Sequence, residues 1–176
     1  MHPFTAALRD WSTFYFITAT AAATLMGLMF VGVTFAATQA QKLSVETARP
    51  FIDPSFNHFL WVILTGAVLN IPVLDSVSLG AVLLALGIVR CVAAWGTFRR
   101  LVQISRINND FEWSDWAIHV VLPGTSHALV LWSSIAFFLS FHGAFISLAI
   151  ATLLLLYTGL QNSWEQLIWL AFQSKE

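Results

Sequence analysis

The sequence predicts an all-α membrane protein, with five transmembrane helices in a bundle and an amphipathic helical extension at the C-terminus. Of its 176 residues, 58% are hydrophobic and 10% are charged, whereas a soluble domain has about 25% charged residues. A helix needs about 20 apolar residues to cross a hydrocarbon core of roughly 30 Å. We expect one integral membrane domain over 1–176, with spans at about 12–38, 56–73, 77–97, 116–140 and 144–163.

Charge and cysteine content argue against several classes of protein. The formal net charge is −1, so no basic face is expected and nucleic acid is not a predicted partner. A single cysteine, Cys91, excludes an intrachain disulfide and a multi-cysteine metal site. The sequence contains no nucleophile elbow, phosphate loop, zinc-protease helix or dinucleotide-binding glycine pattern. We therefore predict a protein that is not an enzyme and carries no cofactor.

The first span has small residues along one side. Its core, residues 14–38, contains no charged residue and no proline. Gly, Ala and Thr let two helices approach closely, a property that lipid does not reward. Small residues recur here every seven positions with two more between them, forming a seam of Thr13, Thr20, Ala23, Thr24, Gly27 and Thr34. We predict that this seam packs against neighbouring helices and that the first helix is the centre of the bundle.

Two stretches resemble a group of small, five-helix bacterial membrane proteins. The shared pattern is Phe-Tyr, then Ala-Thr-Leu-x-Gly-Leu-x-Phe-Val, then a terminal Asn-Ala-Trp-Asp, of which Ser163 and Glu165 depart from the last part. The matching positions are Phe14, Tyr15, Ala23, Thr24, Leu25, Gly27, Leu28, Phe30, Val31, Asn162 and Trp164. The resemblance implies a five-helix fold and a bacterial inner-membrane location, and it implies no activity.

The second and third spans are expected to form an antiparallel hairpin. Asn70 and Pro72 fall at the end of the second span, where a proline closes a helix at little cost. A tight turn is predicted at 74–76. The connection 98–115 has apolar residues at helical intervals, which indicates an amphipathic piece at the interface, and Ser114 is placed to cap the fourth helix.

The fourth and fifth spans are joined by a very short turn near Gly143. Pro123 and Gly124 interrupt the fourth span, and the freed carbonyls favour either a kink satisfied by Ser and Thr or a binding site. After the fifth span the helix should continue as an amphipathic extension, with an apolar stripe of Trp164, Leu167, Ile168, Ala171 and Phe172.

Polar residues inside the predicted spans form a candidate cluster of Arg90, Ser126, His127, Tyr157, Asn162 and Glu165. An ionisable group at this depth is costly and usually faces a partner or water. Three interpretations of Arg90 follow: its side chain snorkels to the headgroups, it forms an ion pair with Glu165, or it has a role in transport. His58 and His119, near the same interface, could hold haem or a metal, or could simply bond to water, carbonyls or headgroups.

Taken together, these features favour a non-enzymatic inner-membrane protein acting through helix–helix association, as an accessory or modulatory subunit. Its expected partners are the lipid bilayer and either other membrane protein subunits or further copies of itself. The alternative is a small homo-oligomeric channel or transporter, with Arg90 and His127 lining the path. A haem- or quinone-binding protein is the third possibility.

Orientation follows from the excess of Lys and Arg in cytoplasmic loops. One side of a five-span protein would carry Lys42, Arg49, Arg99, Arg100, Arg106 and Lys175, and the other side only Arg9. We therefore expect a periplasmic N-terminus and a cytoplasmic C-terminus. Cysteines introduced at Ser44 and Ser105, in a Cys91-free background, should resist an impermeant thiol reagent added to intact cells. Labelling of both positions from outside would reverse this orientation.

Overall fold

The protein is described by a computed structural model covering residues 3–39, 45–72, 75–107, 116–141 and 143–173. Over these residues it is all-α, with five long helices. They are α1 (Pro3–Gln39), α2 (Val45–Leu69), α3 (Ser76–Ile107), α4 (Leu122–Phe138) and α5 (Ala144–Gln173), and a π-helical turn (Ala117–Val121) precedes α4. The all-α prediction is confirmed.

Three of the described helices contain a segment long and apolar enough to cross a bilayer. These segments are Phe4–Phe35 in α1, Ser76–Gly96 in α3 and Ala144–Ile168 in α5, and the apolar part of α2, Ser55–Leu69, is shorter. The structure thus supports a helical protein suited to a membrane. The count of five spans stays a prediction from the sequence.

Local hydrogen bonds explain where α2 ends and α3 begins. The Asn70 side-chain amide donates to the carbonyl of Gly66, one of the last acceptors of α2, and Pro72 follows. Asp75 precedes α3, and its carboxylate accepts the backbone N–H of Ser78 at 3.1 Å, as an N-capping residue does. Hydrogen bonds from the side chain and backbone of Ser78 lower the pKa of Asp75 below its ordinary value.

Both ends of α4 depart from regular α-helix for identifiable reasons. Pro123 lacks a backbone donor and crowds the preceding turn, and the helix widens into the π-helical turn directly before it. At the other end Ser140 has a φ of 52°. There the N–H of Phe141 bonds to Ala136 and that of Ser140 to Phe137, which is the Schellman pattern of helix termination.

The centre of the bundle is α5, so the prediction that α1 is central is wrong. In the most apolar 18 residues of each candidate span, 50% are buried in α5, compared with 28% in α3 and 17% in α1. α5 packs on α1, α2 and α4, whereas α1 packs mainly on α2 and α5. Small side chains make this possible, since Ala144 and Ala151 are fully buried and leave space for neighbouring helices.

An aromatic cluster fixes the N-terminal half of α1 against the start of α5. Tyr15 is fully buried and its hydroxyl donates to the carbonyl oxygen of Phe145 at 2.7 Å. The ring of Phe145 stacks on Trp11 at a centroid distance of 6.2 Å and meets Phe137 edge-on at 4.9 Å. The hydrogen bond satisfies the polar end of a tyrosine whose ring is enclosed in apolar surroundings.

The predicted hairpin of the second and third spans is only partly correct. α2 and α3 follow each other closely in the chain, but they touch at few positions. α3 packs instead on α4, where Gly80 lies against the backbone of Ser134 and Gly87 against Leu131. α2 packs on α1 and α5. Chain neighbours are therefore separated because each has a better-fitting surface elsewhere.

The contact between α1 and α2 depends on a glycine and leads to a matched test. A methyl group added at Gly66 would lie 2.5 Å from the Cβ of Ala19 and 2.7 Å from the carbonyl oxygen of Tyr15. Both are part of α1, so the helices would have to separate. Gly66→Ala should lower the free energy of unfolding in detergent by about 1–3 kcal/mol, the usual cost of overpacking.

Gly27→Ala is the control, because nothing lies within 4 Å of a methyl group there. Alanine is the better helix former by up to about 1 kcal/mol, so this variant should be as stable as the parent or more so. Equal melting temperatures for the two variants would contradict the close approach of α1 and α2.

Candidate functional site

The candidate site is built around Arg90, which points into the bundle from α3. Its side chain is only 3% exposed. The guanidinium Nε donates a hydrogen bond of 2.8 Å to Nε2 of His127 on α4. Its central carbon lies 5.7 Å from the ring centroid of Trp61 on α2, within the range of a cation–π interaction. One buried arginine therefore connects three helices.

The hydrogen bond of Nδ1 in the His127 ring determines whether Nε2 is a donor or an acceptor. Nδ1 is hydrogen-bonded to the carbonyl oxygen of Pro123, one turn earlier. A carbonyl can only accept, so Nδ1 carries the proton and Nε2 is left as an acceptor for Arg90. The ring is thus a neutral imidazole in a fixed orientation, and Pro123, predicted as a break in the helix, supplies the oxygen that fixes it.

Two of the three interpretations of Arg90 are wrong. A snorkelling side chain would be exposed at the interface, whereas Arg90 is enclosed. The ion pair with Glu165 is not formed either: Glu165 is exposed, and Arg90 is bonded to His127. The reason is topological, since α3 packs on α4 and not on α5. The carboxylate of Glu165 therefore lies on a helix that α3 does not pack against.

The remaining members of the predicted polar cluster are spread over α4 and α5. Ser126 is fully buried and its hydroxyl donates to Leu122 of its own helix, as expected for a kink satisfied by Ser and Thr. Asn162 is 5% exposed, and its side-chain oxygen is buried without a hydrogen-bond partner among the described residues. Tyr157 is exposed and its hydroxyl accepts from Gln161. The contact between Arg90 and His127 is therefore the part of the cluster that the structure brings together.

The helix-packing seam of α1 faces outward in this chain. A methyl group added at Gly27 would have no neighbour within 4 Å, and three of the threonine hydroxyls bond to carbonyls of α1 itself. The expectation that helices of the same chain pack on the seam is therefore wrong. The face that does pack contains Tyr15, Thr18, Ala22 and Met29. All members of the seam are exposed: Thr13, Thr20, Ala23, Thr24, Gly27 and Thr34.

The two histidines considered as haem or metal ligands do not form a described pair. His58 is partly buried on α2, and the side chain of His119 lies outside the described residues. Within the part of the chain that the structure describes, no group of three or more His, Cys, Asp or Glu side chains is placed to hold a metal ion. The absence of a cofactor stays a prediction.

Arg90 and His127 can each be picked out in the sequence as polar residues within predicted spans. Their contact with each other, and the position of Trp61 over Arg90, cannot be predicted from it. The position of Trp61 near a membrane interface gives no sign that a cation lies over its ring. A signal does exist for His127, because its spacing from Pro123 places a histidine one turn after a proline carbonyl. That spacing alone does not reveal which helix lies opposite.

Comparisons with protein-family models, with curated proteins and with solved structures found no match for this chain. The likeness of its two motifs to small bacterial membrane proteins thus stays a resemblance.

The contact of Arg90 with His127 can be measured with a double-mutant cycle. Residues in one hydrogen-bonded network have interaction energies of about 0.5–3 kcal/mol. The free energies of unfolding of Arg90→Leu, His127→Leu and the double variant should therefore be clearly non-additive. The double variant should be more stable than the sum of the single losses predicts, since removing one partner alone leaves a buried polar group.

A second cycle on Arg90→Leu and Glu165→Leu provides the matched control, and its losses should add within about 0.5 kcal/mol. Strong coupling in the Glu165 cycle and none in the His127 cycle would contradict this arrangement of the site.

Proposed function

We propose that this protein is a non-enzymatic accessory or modulatory subunit of the bacterial inner membrane, acting through association with other membrane helices. The observation that supports this most is the outward-facing seam of α1. Small side chains on a helix surface gain nothing from lipid, but they let a second backbone approach closely.

The geometry of α1 separates two packing surfaces. Tyr15, Ala22 and Met29 repeat every seven residues and are buried within the chain. Thr13, Thr20 and Gly27 of the seam repeat with the same spacing two positions earlier, which at 100° per residue places them about 160° away. One side of α1 is thus occupied by its own bundle while the opposite side is available to another helix.

The exposed surface near the C-terminal end of the seam is apolar. Phe30, Val31 and Phe35 lie there on α1 and are 64%, 67% and 66% exposed. The end of α5 lies on the same part of α1, since Leu167 packs against Gly32. Trp164 and Ile168 on that extension are 61% and 40% exposed. Together these residues form a wider apolar surface for a partner subunit.

The proposed topology has five spans, a periplasmic N-terminus and a cytoplasmic C-terminus. Its support is the unequal distribution of Lys and Arg in the sequence, with six on one side and Arg9 alone on the other. In this orientation the α5 extension with Trp164 is on the cytoplasmic side.

A small homo-oligomeric channel or transporter is the second candidate function. The observation that favours it is the buried contact of Arg90 with His127, because polar groups within membrane segments often mark a transport path. Ion or solute flux into liposomes that is lost in Arg90→Gln would support this candidate over the first.

The accessory-subunit proposal can be tested by blocking the seam. Gly27→Leu adds a large side chain where the chain itself has open space, so the isolated protein should keep its melting temperature. Unlike membrane subunits that copurify with the parent protein in mild detergent should be lost, because the added side chain holds the helices apart.

Val92→Leu is the control, since Val92 is 71% exposed but lies on α3, a different helix from the seam, and it should retain the partner. Retention of the same subunits by Gly27→Leu would contradict the proposal. A disulfide between two copies of Gly27→Cys, without any unlike subunit, would instead assign the seam to self-association and favour the second candidate.

A further inference from the structure

We propose that Arg90, His127 and Trp61 form a binding site for the oxyanion of an anionic amphiphile that enters from the bilayer between α2 and α3. The basis of this proposal is the hydrogen-bonding state of Arg90 together with the packing of α3, and both are independent of the seam on α1.

Arg90 has no partner for part of its guanidinium among the described residues. The Nη2 atom is buried and makes no hydrogen bond, on a side chain that is almost fully enclosed. A guanidinium keeps its proton in proteins, so the charge cannot be removed by neutralisation. A buried charge without a counter-charge is strongly unfavourable, and a buried donor without an acceptor adds to that cost.

Among the residues that the structure describes, the groups around Arg90 supply no negative charge. His127 is a neutral acceptor, because its other nitrogen donates to Pro123. The face of Trp61 attracts a cation but offers no acceptor oxygen. Among the acidic residues whose side chains the structure describes, Asp10, Asp75 and Glu165 are all exposed. The site therefore presents a positive charge and free N–H donors, which suit the planar or tetrahedral oxyanion of a carboxylate or phosphate.

The packing of α3 indicates the route from the bilayer. On one side of Arg90, Gly87 lies against Leu131 of α4. Val89 and Ala93, which also adjoin Arg90 on the helix, are exposed. Because α2 and α3 touch at few positions, the Trp61 ring over Arg90 is one of the contacts that link these two helices, and its displacement would uncover the guanidinium.

The depth of Arg90 favours an amphiphile as the carrier of the oxyanion. Arg90 is six residues from Gly96, the end of the apolar segment of α3, or about 9 Å along a helix. A headgroup held at that level would lie about 9 Å inside the end of the apolar segment, and its chains would extend along the exposed apolar surface of α3.

The test uses the full-length protein in a neutral maltoside detergent. Binding is measured by isothermal titration with short-chain phosphatidic acid, with phosphatidylcholine of the same chain length, and with sodium phosphate. The parent protein should bind phosphatidic acid at least about tenfold more tightly than phosphatidylcholine, a difference typical of charge-assisted hydrogen bonds. Arg90→Gln should remove this preference.

Arg99→Gln is the matched control. Arg99 also lies over a tryptophan, with its guanidinium carbon 5.0 Å from the ring of Trp95, but it is exposed. Its substitution changes the net charge equally and should leave the preference intact. Where Arg90→Gln fails to give a monodisperse protein, Arg90→Lys decides the question. Lysine keeps the charge but loses the fork of donors, so affinity for phosphatidic acid should fall at least threefold (about 0.7 kcal/mol).

Three results would overturn the proposal. The first is an equal affinity of the parent protein for phosphatidic acid and phosphatidylcholine. The second is an unchanged preference in folded Arg90→Gln or Arg90→Lys. The third is Arg90-dependent binding of sodium phosphate as tight as that of phosphatidic acid, which would assign the site to a soluble anion.

Discussion

Close packing of three helices around α5 is the constraint on which the rest of the fold depends. Helix interfaces in membranes rely on van der Waals contact between well-matched surfaces, because lipid tails are as apolar as the side chains. Ala144 and Ala151 are fully buried on α5, and Gly159 lies against Phe59 of α2, with a methyl position only 2.8 Å from that ring. Larger residues at these points would push the surrounding helices away from α5. The contacts among α1, α2 and α4 would then be disturbed as well.

This arrangement leaves α3 with a single main neighbour, α4, and explains why a buried arginine is tolerated there. Arg90 bonds to His127 of α4 and lies over Trp61 of α2, so its enclosure depends on two helices that are held in place by α5. The hydrogen bond between Arg90 and His127 is a result of how the helices pack. Among the described residues, His127 supplies the acceptor for the guanidinium of Arg90.

Much of the helix layout can be predicted from the sequence, because helix ends depend on local chemistry. The third and fifth spans are expected at 77–97 and 144–163, and α3 and α5 begin at Ser76 and Ala144. Turn and capping residues such as Pro72 and Asp75 carry that information. The central helix cannot be predicted in the same way. α1 has two stripes at heptad spacing, and the spacing does not distinguish the one that packs within the chain from the one that faces outward.

The partner of Arg90 escapes prediction for a related reason. Charge alone favours an acidic partner for Arg90, and Glu165 is the candidate at a suitable depth. The actual partner is set by its distance from the guanidinium, and that distance depends on which helices are adjacent. α3 lies beside α4, so the nearest acceptor is a neutral imidazole whose tautomer is set by Pro123. Depth in the bilayer is readable from sequence, whereas the order of helices around the bundle is not.

The π-helical turn at Ala117–Val121 has a consequence for the rotational phase of the helix it precedes. A π-helical turn inserts one residue relative to an α-helix, which offsets the residues before it by about 100° with respect to those after it. A helical wheel drawn through 116–138 as one continuous helix would therefore assign residues 117–121 to the wrong side. The two parts of this segment are free to match different neighbours, and a substitution that restored regular α-helical geometry would rotate one part against the other.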